Sequence, residues 1–503
     1  MATTASVSAP AAKTGSDGRT APYSQLPKWL FPALFAAEVL AYWLTRATRG
    51  FWIDEATTYW IDLGGWSHAW TKLKDFPAGQ SFLYQSLAMP FVSDGPFKEA
   101  LLRIPSIAGM LLAAWLLYKL TESILGDGFG WPAVTLFTCA GAIVETATNA
   151  RPYALGLAVV LASFWSLREY LRTRKATWLA FYCVSSALVV YFHYAFVLIF
   201  LVQGIYLAAA ARSLRTVPWL RMFAAGCFIA AAAIPLAWQM SSLVRQAKTW
   251  SSAAKPTILD FFSFFPIQVL LATAVGLLLF YVLHREWFGP FRAIAFDDRI
   301  LLLTWALLGP AVMFLIDRTS SLATFTTRYL IYALPPCFML LAWCIGHLRN
   351  EAARFVLVLS VALNSAMYVR NIGANTPEWR TPLQVAEELG GAATPIILPS
   401  AHADAVGLDW PTEPNSAHHY YAQLAAYPIP NKIIPAPFFM DAGAERFLKQ
   451  EIAQLAPTNP RFCLVADKNS EVLGIVPNWF RERGYKISTQ DVGGIEVVLA
   501  QLN

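Results

Sequence analysis

"SFLYQSLAMPFV" (residues 81–92) decides the fold, because whether it crosses a bilayer fixes the side on which every later loop lies. A spanning helix needs roughly 20 apolar residues. This stretch is short for that, has glutamines nearby, and reads as a segment lying along the interface. Around it, apolar runs fall near 29–45, 104–120, 131–147, 153–169, 177–192, 195–211, 219–240, 264–283, 300–316, 329–346 and 354–369, eleven in all. With 503 residues, 56% of them hydrophobic and 14% charged, the chain is too apolar for one water-soluble core and reads as a polytopic membrane protein.

The distribution of Lys and Arg chooses between eleven and twelve crossings, since cytoplasmic loops collect positive charge. If 81–92 does not cross, one side gathers Lys13, Arg19 and Lys28, then Lys119, then Arg168, Arg172, Arg174 and Lys175, and then Arg212, Arg215 and Arg221. It also takes Arg285, Arg292 and Arg299, and Arg349 and Arg354. A twelfth crossing breaks this pattern through the middle of the chain. The expectation is therefore about 11 transmembrane helices, N-terminus inside and C-terminus outside. The formal charge of +6 belongs largely to these orienting loops and says little about nucleic acid.

Three regions follow. Residues 1–27 are small, polar and Pro-containing and read as a disordered cytoplasmic tail. Residues 28–375 form the membrane part, with a first outer loop at 46–103. Residues 376–503 form an extracytoplasmic α/β domain: β-like runs at 395–400, 462–467 and 495–500 alternate with helical stretches near 380–390, 418–426, 442–455 and 477–484. With no Gly-rich phosphate loop and no metal spacing, this domain is expected to support the bundle, recognise an acceptor or act as a lid. Five cysteines lie in or beside apolar runs and Cys463 stands alone, so no disulfide framework is implied.

The chemistry concentrates on the outer face. "FWIDEATTYW" (51–60) sets Asp54 and Glu55 side by side just past the first apolar run. One reading makes Asp54 the N-cap of an interfacial helix and Glu55 a match for its positive end. The other starts from the cations sharing that face against the orienting trend: Arg103, Arg151, Arg245, Lys248, Lys255, Arg318 and Arg328. A carboxylate base beside guanidinium groups suits attack by an acceptor hydroxyl on a sugar whose leaving group is a phosphate.

His193 and Tyr194 are candidate sugar or phosphate contacts, or simply interfacial residues. Trp60, Trp66, Trp70 and Trp250 read mainly as an aromatic belt. Glu145, in an apolar run, and Glu38, mid-way along the first run, are costly there. Glu38 must face the bundle interior with a partner or be protonated. "HHYY" (418–421) lacks a second ligand pair at metal spacing.

The order "WIDEA", "LLRIPSIAG" (101–109), "NARPYALGLAVVLA" (149–162), "YFHYAFVLIFLVQ" (191–203), "TRYLIYALPPCFMLLA" (327–342) and "PEWRTPLQVAEEL" (377–389) resembles the bacterial relatives of protein O-mannosyltransferases and aminoarabinose transferases. These are membrane glycosyltransferases of the GT-C fold that use polyprenyl-phosphate sugars. The resemblance implies Asp54 as the general base, with Glu55 holding the acceptor or orienting Asp54. It further implies that Arg103, Arg151 with Tyr153, and Arg328 with Tyr329 face the lipid-linked phosphate. Where the family carries "HPPLYY", this chain has "DFPAGQSFLYQ" (75–85), so Asp75 or Gln80 takes the histidine's place.

The expected activity is transfer of a sugar from a polyprenyl-phosphate donor to a lipid, glycan or protein acceptor, with inversion, at the bacterial inner membrane. No cofactor is required: a divalent cation near Asp54 and Glu55 is possible, but the arginines make it unnecessary. The rival reading is a transporter or flippase for a lipid-linked sugar, against which stand the lack of an inverted repeat and the one-sided charges.

Overall fold

A computed structural model describes residues 26–75, 82–213, 216–250, 255–320, 325–375, 377–399, 422–436, 440 and 442–502, with the side chains of 74–75, 237–250 and 371–375 excluded. Residues 1–25, Gln80 and the 418–421 stretch thus lie outside the described residues, as do the side chains of Asp75, Lys248 and Trp250.

Each apolar run is helical, yet they are not alike. Six helices are individually long and apolar enough to span, and the bent pair Thr327–Ala333 and Pro335–Ile345, angled at 49°, makes a seventh. Ala176–Phe192 and Ile267–Leu283 are apolar but shorter. The remaining two runs are interrupted. The first passes through a π-helical stretch, Val39–Leu44, between Leu30–Glu38 and Thr45–Ala47, and the third breaks at Cys139 and Ala140 between Gly130–Thr138 and Gly141–Ala147. The deciding segment, Phe82–Ala88, has only seven helical residues, a length of roughly 10 Å that cannot cross.

Glu38 faces the bundle interior. It is buried and its Oε2 accepts a 2.6 Å bond from the Thr138 hydroxyl. At one end of the bundle, Arg168 pairs with Asp298 and donates to Ser123, fastening three helices. All six cysteines are free.

At the opposite end sits a mixed sheet of β1 (Ile396–Pro399), β2 (Ile433–Ala436), β3 (Arg461–Asp467), β4 (Tyr485–Val492) and β5 (Ile495–Leu502), in the order β2-β1-β3-β5-β4. The first three strands in that order are parallel and the last three antiparallel. Gly493 and Gly494, both at positive φ, make the two-residue turn between β4 and β5.

The strands alternate between two cores, as their period of two requires. Ile397, Phe462, Leu464 and Val498 pack with Leu448, Trp479 and Phe480 of the helices Ala442–Leu455 and Glu471–Glu482. On the other face, Ile396, Leu398, Cys463, Val465, Ile495 and Val497 share one core with Trp379, Leu383 and Ala386. The same core takes in Phe51, Ala56, Tyr59 and Trp60 of the loop after the first apolar run. The sheet and that loop therefore lie at the same end of the bundle.

Candidate active site

The helix Ile53–Asp62 carries both acids. Its N-cap is Trp52, one residue ahead of the helix, so Asp54 is not the cap. Glu55 instead closes the first turn, its Oε2 accepting from the Trp52 amide at 3.4 Å.

Glu55 is filled by other donors as well. Its Oε1 accepts from Arg103 Nε at 2.8 Å and from the Ala150 amide at 2.7 Å, and its Oε2 accepts from Arg103 Nη2 at 2.5 Å. With 1% of the residue exposed, no lone pair remains for an acceptor substrate. Arg103 is equally committed. Its Nη1 donates to the carbonyls of Arg46, Ala47 and Arg49 at 3.2, 2.9 and 2.7 Å, and its Nη2 to that of Gly50 at 3.2 Å. The pair holds the site helix to the segment before it and leaves Arg103 no N–H for a phosphate. Removing one partner of such a buried ion pair costs about 3–5 kcal/mol. Glu55→Gln is thus expected to lower the thermal midpoint in detergent markedly, and Arg103→Met to lower it further because four carbonyls also lose their donor. An unchanged midpoint in both variants would contradict this structural role.

Asp54 points elsewhere. Its Oδ2 accepts a 2.9 Å bond from Arg328 Nη1, and 27% of its side chain remains open. Arg328, at the start of the bent pair, lies 5.3 Å from the ring centroids of both Trp52 and Tyr329. Trp52 is itself anchored through its Nε1, which donates to Asn149 Oδ1 at 3.1 Å. Arg151, 8% exposed, places Nη1 at 3.4 Å from the Asp54 carbonyl and at 3.4 Å from the Thr58 hydroxyl. Among the described residues the Nε groups of Arg151 and Arg328 are both buried without an acceptor. Two guanidinium groups with unused donors thus flank one half-open carboxylate.

Behind them stands a ring cluster. His193 lies 5.2 Å from Tyr153 and 4.8 Å from Tyr329, centroid to centroid, and its Nδ1 accepts from the Ala195 amide at 3.2 Å. Burial, reinforced by Arg151 and Arg328, pushes the imidazole down to about 3. It is therefore neutral, with its proton on Nε2. The unfolded chain takes up this proton near pH 6.5. Stability is consequently full above that pH and is lost as pH falls from about 6.5 toward about 3. His193→Phe is expected to flatten the acid side of the thermal-midpoint profile; an equally steep profile would show that the ring's charge is not excluded.

Tyr194 is not part of this cluster, since it packs with Val190 and Leu236. Trp60 is buried, whereas Trp66 and Trp70 are 53% and 60% exposed around Phe82. Glu145 is exposed on Gly141–Ala147, within electrostatic reach of Arg46 and Arg328. Arg46 was not singled out in the sequence, although a cation at the C-terminal end of the first apolar run was the available signal. The first carboxylate pair does not fit a divalent ion: Glu55 is saturated with N–H donors, and Asp54 has one oxygen on Arg328 and two guanidinium groups beside it.

No protein-family model matches the chain, and no curated protein matches it by sequence. Among solved structures it is similar to the crystal structure of ArnT from Cupriavidus metallidurans bound to undecaprenyl phosphate, with a TM-score of 0.55 at 11% identity over 94% of this chain and 98% of that one. The chain has the GT-C fold. The apo form of the same ArnT gives a TM-score of 0.51 at 11% identity, covering 93% and 97% of the two chains. The Archaeoglobus fulgidus oligosaccharyltransferase in its apo form gives 0.48 at 12% identity, covering 92% of this chain and 73% of that one. Within the GT-C fold, the Asp54–Arg328 pair stands at the end of the bundle that also holds the sheet.

Proposed function

We propose that the chain is a multi-pass glycosyltransferase that moves a sugar from a polyprenyl-phosphate donor to an acceptor hydroxyl on the extracytoplasmic side of the bacterial inner membrane. The observation that carries this reading is the half-open Asp54 carboxylate on Arg328, with Arg151 beside it and unused donors on both arginines. The GT-C fold supports it, and one structural neighbour holds undecaprenyl phosphate.

The proposed step is a single displacement. As the acceptor oxygen bonds to the anomeric carbon, Asp54 takes the hydroxyl proton. The bond from that carbon to the phosphate oxygen breaks, and its electron pair leaves with the polyprenyl phosphate. Arg328 and Arg151 receive the developing negative charge, with Lys248 as a further candidate. Attack opposite the leaving group inverts the anomeric configuration. Glu55 and Arg103 hold the site helix in place, and the ring cluster of Tyr153, His193 and Tyr329 forms the wall beside the cations.

The test uses purified protein in lipid nanodiscs with a polyprenyl-phosphate sugar, measuring release of polyprenyl phosphate and the product's anomeric configuration. Release with inversion is expected, and EDTA is expected to leave the rate unchanged. A product of retained configuration contradicts the single displacement. Loss of activity in EDTA, restored by one metal, overturns the metal-independent reading. Transport of the donor without any release identifies a flippase instead.

A further inference from the structure

The segment Arg46–Phe51 leads from the first membrane helical run to the Trp52 cap of the site helix, and its backbone carbonyls are divided between two sets of donors. Arg103 takes those of Arg46, Ala47, Arg49 and Gly50 from the bundle side. The C-terminal domain takes the other two: Arg380 Nη2 donates to the Thr48 carbonyl at 3.0 Å, and the Trp379 amide donates to the Phe51 carbonyl at 3.0 Å. The Phe51 amide in turn donates to the Tyr427 hydroxyl at 2.7 Å.

These contacts are tied together by one buried carboxylate. Glu99, 2% exposed, accepts from the Tyr427 hydroxyl at 2.9 Å and from Arg380 Nη1 at 3.3 Å. Glu99 lies four residues before Arg103, hence on the same face of one helical turn. That turn therefore presents a carboxylate to the C-terminal domain and a guanidinium to the segment. Lys98 adds a bond from its Nζ to the Ala426 carbonyl. At Gly50, a Cβ would lie 1.6 Å from Glu378 Oε2, so the domain sits against bare backbone there.

We infer that the C-terminal domain is a positioning element for the Asp54 helix, acting through Tyr427, Glu99 and Arg380 on the segment Thr48–Phe51. Burial of the shared core would hold the domain in place by itself, but apolar contact does not fix backbone register. The hydrogen bonds do. Phe51 is three residues from Asp54, at most roughly 10 Å of chain, and the Tyr427 hydroxyl bonds its amide directly. A shift of about 1 Å in a catalytic group can cost up to roughly 100-fold in rate, so a clamp at this distance matters to turnover.

The inference rests on the proposed sugar transfer for its kinetic part alone, and the experiment separates the two. In the full-length protein in detergent, Tyr427→Phe keeps the ring and removes the hydroxyl. Amide hydrogen exchange over residues 48–55 is expected to quicken about tenfold while β1, β3 and β5 keep their protection. For sugar transfer, kcat is expected to fall on the order of tenfold, with the donor KM changed less than about twofold. Glu99→Gln, which keeps an oxygen for the Tyr427 hydroxyl but loses the charge facing Arg380, is expected to give a smaller change in both readouts. Unchanged exchange over 48–55 overturns the inference. So does exchange that rises equally across the sheet, because that marks a domain that is merely loosened. If the wild-type protein transfers no sugar, the proposed reaction falls and the exchange data alone decide the clamp.

Discussion

Asp54→Asn lowers the rate of polyprenyl phosphate release by roughly 10²–10⁴ while leaving the protein folded, the range expected when a general base is removed. The substitution is isosteric and keeps an oxygen for Arg328, but an amide cannot take the acceptor's proton. Its structural cost is small, because the two side chains of the pair are 27% and 37% open to solvent. Pairs so exposed contribute about 0–1 kcal/mol. Donor binding and the thermal midpoint are therefore expected to stay close to wild type. The neighbouring Glu55→Gln should behave in the opposite sense, losing stability first. If Asp54→Asn turned over at the wild-type rate, Asp54 would not be the base, and the reaction as written would have no proton acceptor.

That contrast marks where the sequence stops being legible. Hydropathy and segment length suffice to locate the apolar helical runs and to mark residues 81–92 as too short to cross, because both signals are summed over many residues. They do not reveal that the first and third runs are interrupted, or that two others are only 17 residues long. Helix breaks depend on local packing and leave little trace in composition. The two acids looked equivalent as neighbours in a string. On a helix, consecutive side chains point roughly 100° apart, so Glu55 enters the core against Arg103 while Asp54 faces Arg328. Which of two adjacent carboxylates meets the core depends on partners 48 and 274 residues away, and one sequence does not show them.

The same limit hid the clamp. Glu99, Arg380 and Tyr427 are ordinary polar residues in the sequence until the sheet packs on the loop. β4 was missed for a different reason: "YKISTQDV" is an edge strand with only Tyr485 fully buried, so it lacks the apolar run that marks β1, β3 and β5. By contrast, Arg328 and Arg151 were singled out because a cation on the side expected to be outer runs against the orienting trend, a signal carried by single residues, whereas Tyr329 and Tyr153 came only with the family resemblance.

Arg328→Ala is expected to lower kcat by roughly 10²–10³, the usual cost of losing one preorganised group that stabilises developing charge. Arg328→Lys should fall between this variant and the wild type. Its ammonium keeps the charge but not the planar fork, and the 5.3 Å placement beside both Trp52 and Tyr329 favours a guanidinium. The split between kcat and KM identifies the role. If Arg328 acts on the departing phosphate, kcat and kcat/KM fall together; if it only binds donor in the ground state, KM rises and kcat is preserved. Arg151→Lys should show the same pattern with a smaller amplitude, because its guanidinium is also anchored to the Asp54 carbonyl and the Thr58 hydroxyl. A wild-type kcat in Arg328→Ala would leave the leaving group without its principal cation and refute the charge arrangement proposed for the transfer.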